Sequence, residues 1–202
     1  MIPEPIDIKT TFTTSLAGCR QLYRHCQNPI DLHTDAGIEA AFLQFHKSWE
    51  VFLEDTMLSF LCGKQPLTGP AITPKFIVTD FEDARNIFYQ EKPYKEWTNK
   101  EEINTRFKIF FVTVNDTNRI IDSLRPIQTT MDEIKFIRNS IAHSSFSTKE
   151  KISKLYQRKL GGNPILNRPS EFLTKQDSQN RGATYFDTYL NTMETTAIAI
   201  IG

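Results

Sequence analysis

Apolar side chains along this chain recur at intervals of three and four, the spacing that lays them on one face of an α-helix. The longest run is Ile38, Phe42, Phe45, Trp49, Phe52, Leu53, Met57 and Phe60. It predicts a helix over about residues 35 to 62, with Gly63 as its C-terminal cap. Upstream, Leu16, Cys19, Tyr23 and Cys26 share one side of a helix expected over about residues 11 to 27, and Pro29 lies just past its end. Three prolines and a glycine between 64 and 78 predict a loop, with a short extended piece at Phe76 to Val78.

Capping-box patterns mark further helix starts, because a Ser or Thr at the N-cap and a Glu three residues on each satisfy an otherwise unpaired N–H. Thr79 to Glu82 is one, opening a helix to about residue 90. Thr98 to Glu101 opens another, through Ile109 to about residue 114. A helix over about 117 to 124 is expected to stop near Pro126. Thr130 to Glu133 is a third box, before a helix that carries Ile134, Ile137 and Ile141 as its buried stripe. Ser147 to Glu150 is a fourth, leading to about residue 160. Residues 161 to 182 read as a long polar loop, and a last helix is expected over about 184 to 200. The pattern predicts an all-α chain: one helical domain over residues 1 to 202, with two long loops, no internal repeat and no interdomain linker.

Composition narrows the class. With 39% apolar and 24% charged residues in 202, the chain suits a globular domain with a sizeable core. Lys plus Arg and Asp plus Glu number 24 each, so contact with a nucleic acid has to come from a local basic cluster. Three cysteines, Cys19, Cys26 and Cys62, form no disulfide framework and no CxxC, and no zinc site or other cofactor is expected. The opening MIPEPIDIKT lacks the basic and apolar regions of a signal peptide, and no apolar run is long enough to cross a bilayer. The expectation is a cytoplasmic protein without membrane contact.

The chemistry concentrates in Arg138-Asn139-Ser140-Ile141-Ala142-His143. On a helix, Asn139 and His143 stack one turn apart, and Arg138 lies beside Asn139. Ser140 and Ser144 border this patch, opposite the isoleucine stripe. Imidazoles titrate near working pH and can take the proton of a ribose 2′-hydroxyl. A guanidinium can grip a phosphate with two hydrogen bonds and stabilise the charge that grows in the transition state. The bland alternative is a pair of surface residues near a helix end, where a cationic His also suits the macrodipole.

This run resembles the Arg-x4-6-His motif of HEPN domains, with the polar residue that commonly follows the Arg. The stretch Trp49 to Glu54 is similar to the aromatic and acidic pattern in an early helix of many members. The resemblance is sharp over about ten residues, and elsewhere it is one of helical architecture. It implies an up-and-down helical bundle of HEPN type with additional peripheral helices. It also implies a two-fold homodimer with a composite site, and metal-independent cleavage of RNA to 2′,3′-cyclic phosphate ends. In that reading Arg138, His143 and Asn139 are catalytic. Related proteins serve as toxins or anti-phage effectors held silent by a protein antitoxin or inhibitor. The alternative within the same fold is a non-catalytic interaction module or a regulatory subunit that binds a protein or nucleotide partner.

Other residues admit two readings. Lys149, Lys151, Lys154, Arg158 and Lys159 form a basic segment that is either a solvated face or, with Ser140 and Ser144, a surface for RNA phosphates. Arg168, Lys175 and Arg181 would extend it, and Tyr156 would stack a base. Glu54 and Asp55 either support the site by orienting Arg138 or belong to an exposed face. His25 and His33 are scattered. His46 and Glu50, four apart, read as a solvated pair and not as a ligand set.

Overall fold

A computed structural model describes residues 1–27, 34–89, 97, 100–114, 118–143, 146–162, 166 and 168–202. The fold is all-α. In chain order the elements are α1 (Pro5–Cys26), α2 (Thr34–Leu61), α3 (Phe81–Tyr89), α4 (Lys100–Phe110) and α5 (Arg119–Leu124). A 3-10 turn (Arg125–Ile127) leads into α6 (Gln128–Ala142), followed by α7 (Phe146–Leu160), α8 (Pro169–Leu173) and α9 (Tyr185–Ile201). Among the described residues, extended pairing is limited to the isolated bridges Pro74–Phe111 and Gln176–Thr184. No described helix is long and apolar enough to cross a membrane.

The strongest periodicity became the longest helix. α2 keeps within a residue of its expected bounds, and Gly63 closes it at φ 87°. The N–H of Gly63 reaches the carbonyl of Phe60 at 3.0 Å, and that of Lys64 reaches Ser59 at 3.1 Å, the pairing of a Schellman stop. Gly at this position is required because a Cβ disfavours positive φ.

Helix starts were legible less well. α1 begins six residues earlier than expected, at a proline whose missing N–H is no loss in a first turn. Ile8 and Phe12 extend its buried stripe backward. For α3 the cap is Asp80 rather than Thr79: its Oδ1 accepts from the N–H of Glu82 at 2.8 Å and of Asp83 at 3.1 Å. α5 is capped by Asn118, whose Oδ1 takes the N–H groups of Ile120 and Ile121, both at 3.1 Å. The box expected at Thr130 does not start a helix, because the 3-10 turn runs directly into α6 at Gln128. Ser147 likewise lies inside α7, and Thr98 and Asn99 fall outside the described residues.

The chain divides into two compact units. The first comprises Met1–Thr14, Ser48–Gln128 and Glu194–Gly202, and the second Ser15–Lys47 and Thr129–Met193. α1, α2 and α9 each contribute residues to both. The first unit is built on rings. Phe12, Trp49 and Phe52 lie 4.7 to 5.9 Å apart, and Phe88 stacks with Trp97 at 5.4 Å and Phe110 at 5.2 Å. In the second, Tyr23 lies flat on Phe186 at 4.1 Å, and Phe172 is sandwiched by Tyr156 at 4.9 Å and Tyr185 at 4.4 Å. Phe172 belongs to α8, a helix inside the stretch expected to be a polar loop. Pro169, Ser170, Phe172 and Leu173 are all buried, so this segment is part of the core of the second unit.

Candidate catalytic site

α6 is amphipathic, and Met131, Ile134 and Ile137 are buried at 1% exposure or less. Burying that stripe sets which side of the helix faces out. A second, directional constraint comes from Glu133, which is 1% exposed among these apolar neighbours. Its carboxylate accepts from Arg158 Nη2 at 2.8 Å, Lys159 Nζ at 3.0 Å and the Tyr189 hydroxyl at 2.9 Å. A buried carboxylate is tolerated only with such partners. The node therefore ties α6 to α7 and α9 within the second unit. It also turns the Tyr189 phenol into a committed donor: burial, then the Glu133 charge, push its pKa far above the ordinary value. Sequence reasoning missed this residue because it read Glu133 as part of a cap. The available signal was a carboxylate placed within an apolar stripe.

The motif occupies the rest of α6. Arg138 is half-buried, and its Nη1 donates to Asn139 Oδ1 at 2.8 Å, so the two neighbours expected to act together are joined directly. α6 ends at Ala142, yet the N–H of His143 still reaches the carbonyl of Asn139 at 2.8 Å. His143 is thus the first residue past the helix, with its side chain exposed. Ser140 is half-buried. Ile141, expected to be buried with Ile134 and Ile137, is only half-buried, because the helix ends one residue later and less of the unit covers its last turn. Ser144 lies outside the described residues.

His46, on α2, feels the charge of the same guanidinium. It is 5% exposed, and burial first, then the charges of Arg138 and Lys47, hold its pKa down to about 4. It is therefore a neutral imidazole at physiological pH. The expectation of a solvated His46–Glu50 pair is overturned, since Glu50 is also buried, at 7%. Both belong to the inward face of α2, which follows from the periodicity already read there: His46 adjoins Phe45, and Glu50 adjoins Trp49.

The basic segment on α7 splits by function. Arg158 and Lys159 converge on Glu133, while Lys154 pairs with Glu150 at 2.7 Å on an exposed turn. Lys151 lies 5.8 Å over the Phe136 ring, which brings it back toward α6, and Lys149 is exposed. Tyr156, expected to stack a base, is 4% exposed with its ring against Phe172, so no face is open to a ligand. Arg168 lies 3.8 Å from Asp35, and Lys175 and Arg181 are exposed.

Glu54 is engaged in the first unit, where its carboxylate accepts from Arg85 Nε at 3.3 Å and from the Tyr89 hydroxyl. Its neighbour Asp55 has its pKa raised to about 6, by burial and then by the Glu54 charge, against the opposing pull of Arg85. His25 is exposed and His33 falls outside the described residues. Among the described residues, no three or more His, Cys, Asp or Glu side chains gather as a metal-holding group. All three cysteines are free thiols, with Cys19 buried and its pKa pushed up to about 11 by that burial.

No protein-family model, curated protein or solved structure matches this chain.

Proposed function

We propose that this chain is a metal-independent endoribonuclease of HEPN type, acting as a homodimer in the cytoplasm. The observation that carries the reading is the end of α6: Arg138 is held by Asn139 at 2.8 Å, and an exposed His143 follows the last helical residue. A half-buried guanidinium fixed by its neighbour is a preorganised clamp for phosphate oxygens. An exposed imidazole outside the regular helix has room to approach a ribose. In this mechanism His143 takes the proton of the 2′-hydroxyl, and the freed oxygen attacks phosphorus. The 5′-oxygen leaves with a proton, giving a 2′,3′-cyclic phosphate and a 5′-hydroxyl. Arg138 stabilises the charge on the phosphoryl oxygens, and Asn139 positions Arg138. Lys149, Lys151 and Lys154 meet the RNA backbone.

Residues five apart on a regular helix point about 140° away from each other. The His143 N–H bond to Asn139 carries the backbone turn one residue past α6, so one copy aims Arg138 and His143 in different directions, and a two-fold pair would supply both to one phosphate. A toxin or defence effector restrained by a protein inhibitor is the setting that this activity implies.

The test is incubation of the purified protein with total RNA and tRNA in EDTA, beside His143→Ala. Cleavage by the wild type alone, with cyclic phosphate ends, supports the reading. Absence of cleavage by a confirmed dimer replaces it with a non-catalytic interaction module or regulatory subunit. A monomer in solution removes the composite site.

A further inference from the structure

Taking RNA as the ligand from the ribonuclease reading above, we propose that Phe136 and Lys151 form a stacking site for an unpaired nucleobase next to the phosphate at His143. The substrate is then single-stranded RNA and not duplex. The site lies wholly within the second unit.

Phe136, Ser140 and His143 follow one another at intervals of four and three, which is one face of a helix. The bond from the His143 N–H to the Asn139 carbonyl at 2.8 Å carries that turn past Ala142. Ring and imidazole therefore share a side of α6, about 10 Å apart along its axis. One nucleotide can span that distance. Ser140, between them, is small and half-buried, which leaves room for a ribose. Arg138 lies about 200° of turn from Phe136, so the base does not compete with the guanidinium of its own copy.

A half-exposed Phe alone is commonplace. This one is half-buried, and among the described residues no other aromatic ring packs on it. Lys151 Nζ stands 5.8 Å from the ring centre, at the outer edge of cation–π range. Since Lys151 is exposed, that side of the ring faces solvent. Lys151 has no ion pair among the described residues, and Glu150, its neighbour in sequence, is taken by Lys154 at 2.7 Å. Asp132, one turn before Phe136 on the same face, is half-buried and engaged within the chain. Its charge opposes a phosphate there, which leaves the phosphate to the His143 end and the base to Phe136. Every base has a π face, and stacking buries apolar ring on both sides. A base in a duplex is already stacked and paired, so offering it to Phe136 costs that pairing. Lys151 then meets the phosphate of the stacked nucleotide.

Fluorescence anisotropy of the full chain with a labelled 2′-O-methyl oligonucleotide of about 12 nucleotides tests this, because the probe lacks the attacking hydroxyl and stays uncut. The single strand should bind about tenfold or more tighter than a duplex of the same sequence. Phe136→Leu keeps the apolar bulk and loses the π face. It should weaken single-strand binding about tenfold and leave the salt dependence unchanged, while Phe136→Tyr binds as the wild type does. Lys151→Ala should lower the slope of log affinity against log salt by about 0.7, the loss of one phosphate contact. Equal binding by Phe136→Leu, with its urea midpoint kept, overturns the proposal. So does duplex binding as tight as that of the single strand, which needs no variant and decides even where Phe136→Leu does not fold. No binding of the single strand at micromolar protein overturns it as well. Cleavage of unmodified RNA in EDTA is read separately. RNA bound through Phe136 but left uncut retires the ribonuclease reading and keeps the stacking site. RNA cut, with binding indifferent to Phe136, does the reverse.

Discussion

The two units bury aromatic walls alike but differ in what they bury beside them. In the first, Phe12, Trp49 and Phe52 meet ring to ring, and the ion pair of Arg85 with Glu54 lies toward solvent, with side chains 39% and 21% exposed. In the second, a carboxylate 1% exposed collects donors from two other helices. Ring packing is weakly directional, so it fills space and tolerates small rotations of a helix. A buried carboxylate with three donors is directional and admits one arrangement of its helix. The motif that carries the proposed chemistry sits on the helix with the directional anchor. A reaction that needs groups placed to within a fraction of an ångström is served by that arrangement.

Removing Trp49 is expected to have the largest effect. It is fully buried, and Trp49→Ala should cost about 4 kcal/mol in urea unfolding, through lost contact and a cavity. Its Nε1 has no hydrogen-bond partner among the described residues, so Trp49→Phe discards an unsatisfied group along with volume and should cost much less. That ratio is the mark of a wall held by packing.

Glu133→Ala should cost about 3 kcal/mol, because it strands the Tyr189 hydroxyl and two cations. Arg158→Ala, which removes a side chain 56% exposed, should cost about 1 kcal/mol or less. Similar losses for the two would mean that Glu133 matters for its volume and not for its bonds, and the contrast between the units would fail.

The smallest effect is a pH dependence of opposite sign in the two units. His46 has its folded pKa lowered to about 4, below the roughly 6.5 of an unfolded chain. The folded state thus binds fewer protons, and its contribution is complete above about 6.5 and lost as pH falls toward 4. Asp55 has its folded pKa raised to about 6, so its half-buried carboxylate disfavours the fold above that value, and acidification through 6 relieves the strain. Hydrogen exchange between pH 7 and 4, corrected for intrinsic rates, should show weakened protection around His46 and strengthened protection around Asp55. His46→Phe should flatten the first trend and Asp55→Asn the second. Parallel trends would show that other groups dominate.

Much of the fold was legible because helix periodicity is local. The eight apolar positions of α2, the stop at Gly63 and the last helix each depend on neighbours a few residues away. Helix starts were harder, since any short polar side chain near the first turn can cap it: Asp80 serves where Thr79 looked equally able, and Asn118 caps a helix for which no cap was read. The candidate site was legible as a string of residue types along α6 and the residue that follows it. Its surroundings were not, because they come from α2, α7 and α9.

The sequence by itself determined the helical class, the long second helix and the placing of Arg138 and Asn139 on a single helix, with His143 just past its end. Only the tertiary structure decided that Glu133 is a buried anchor and not a cap, that His46 is a neutral core imidazole, and that the stretch around Phe172 is core and not loop. The reason is one of range. Turn, cap and periodicity act over one or two helical turns, whereas the partners of a charge are brought together from positions as far apart as Glu133 and Tyr189 only when the chain has folded.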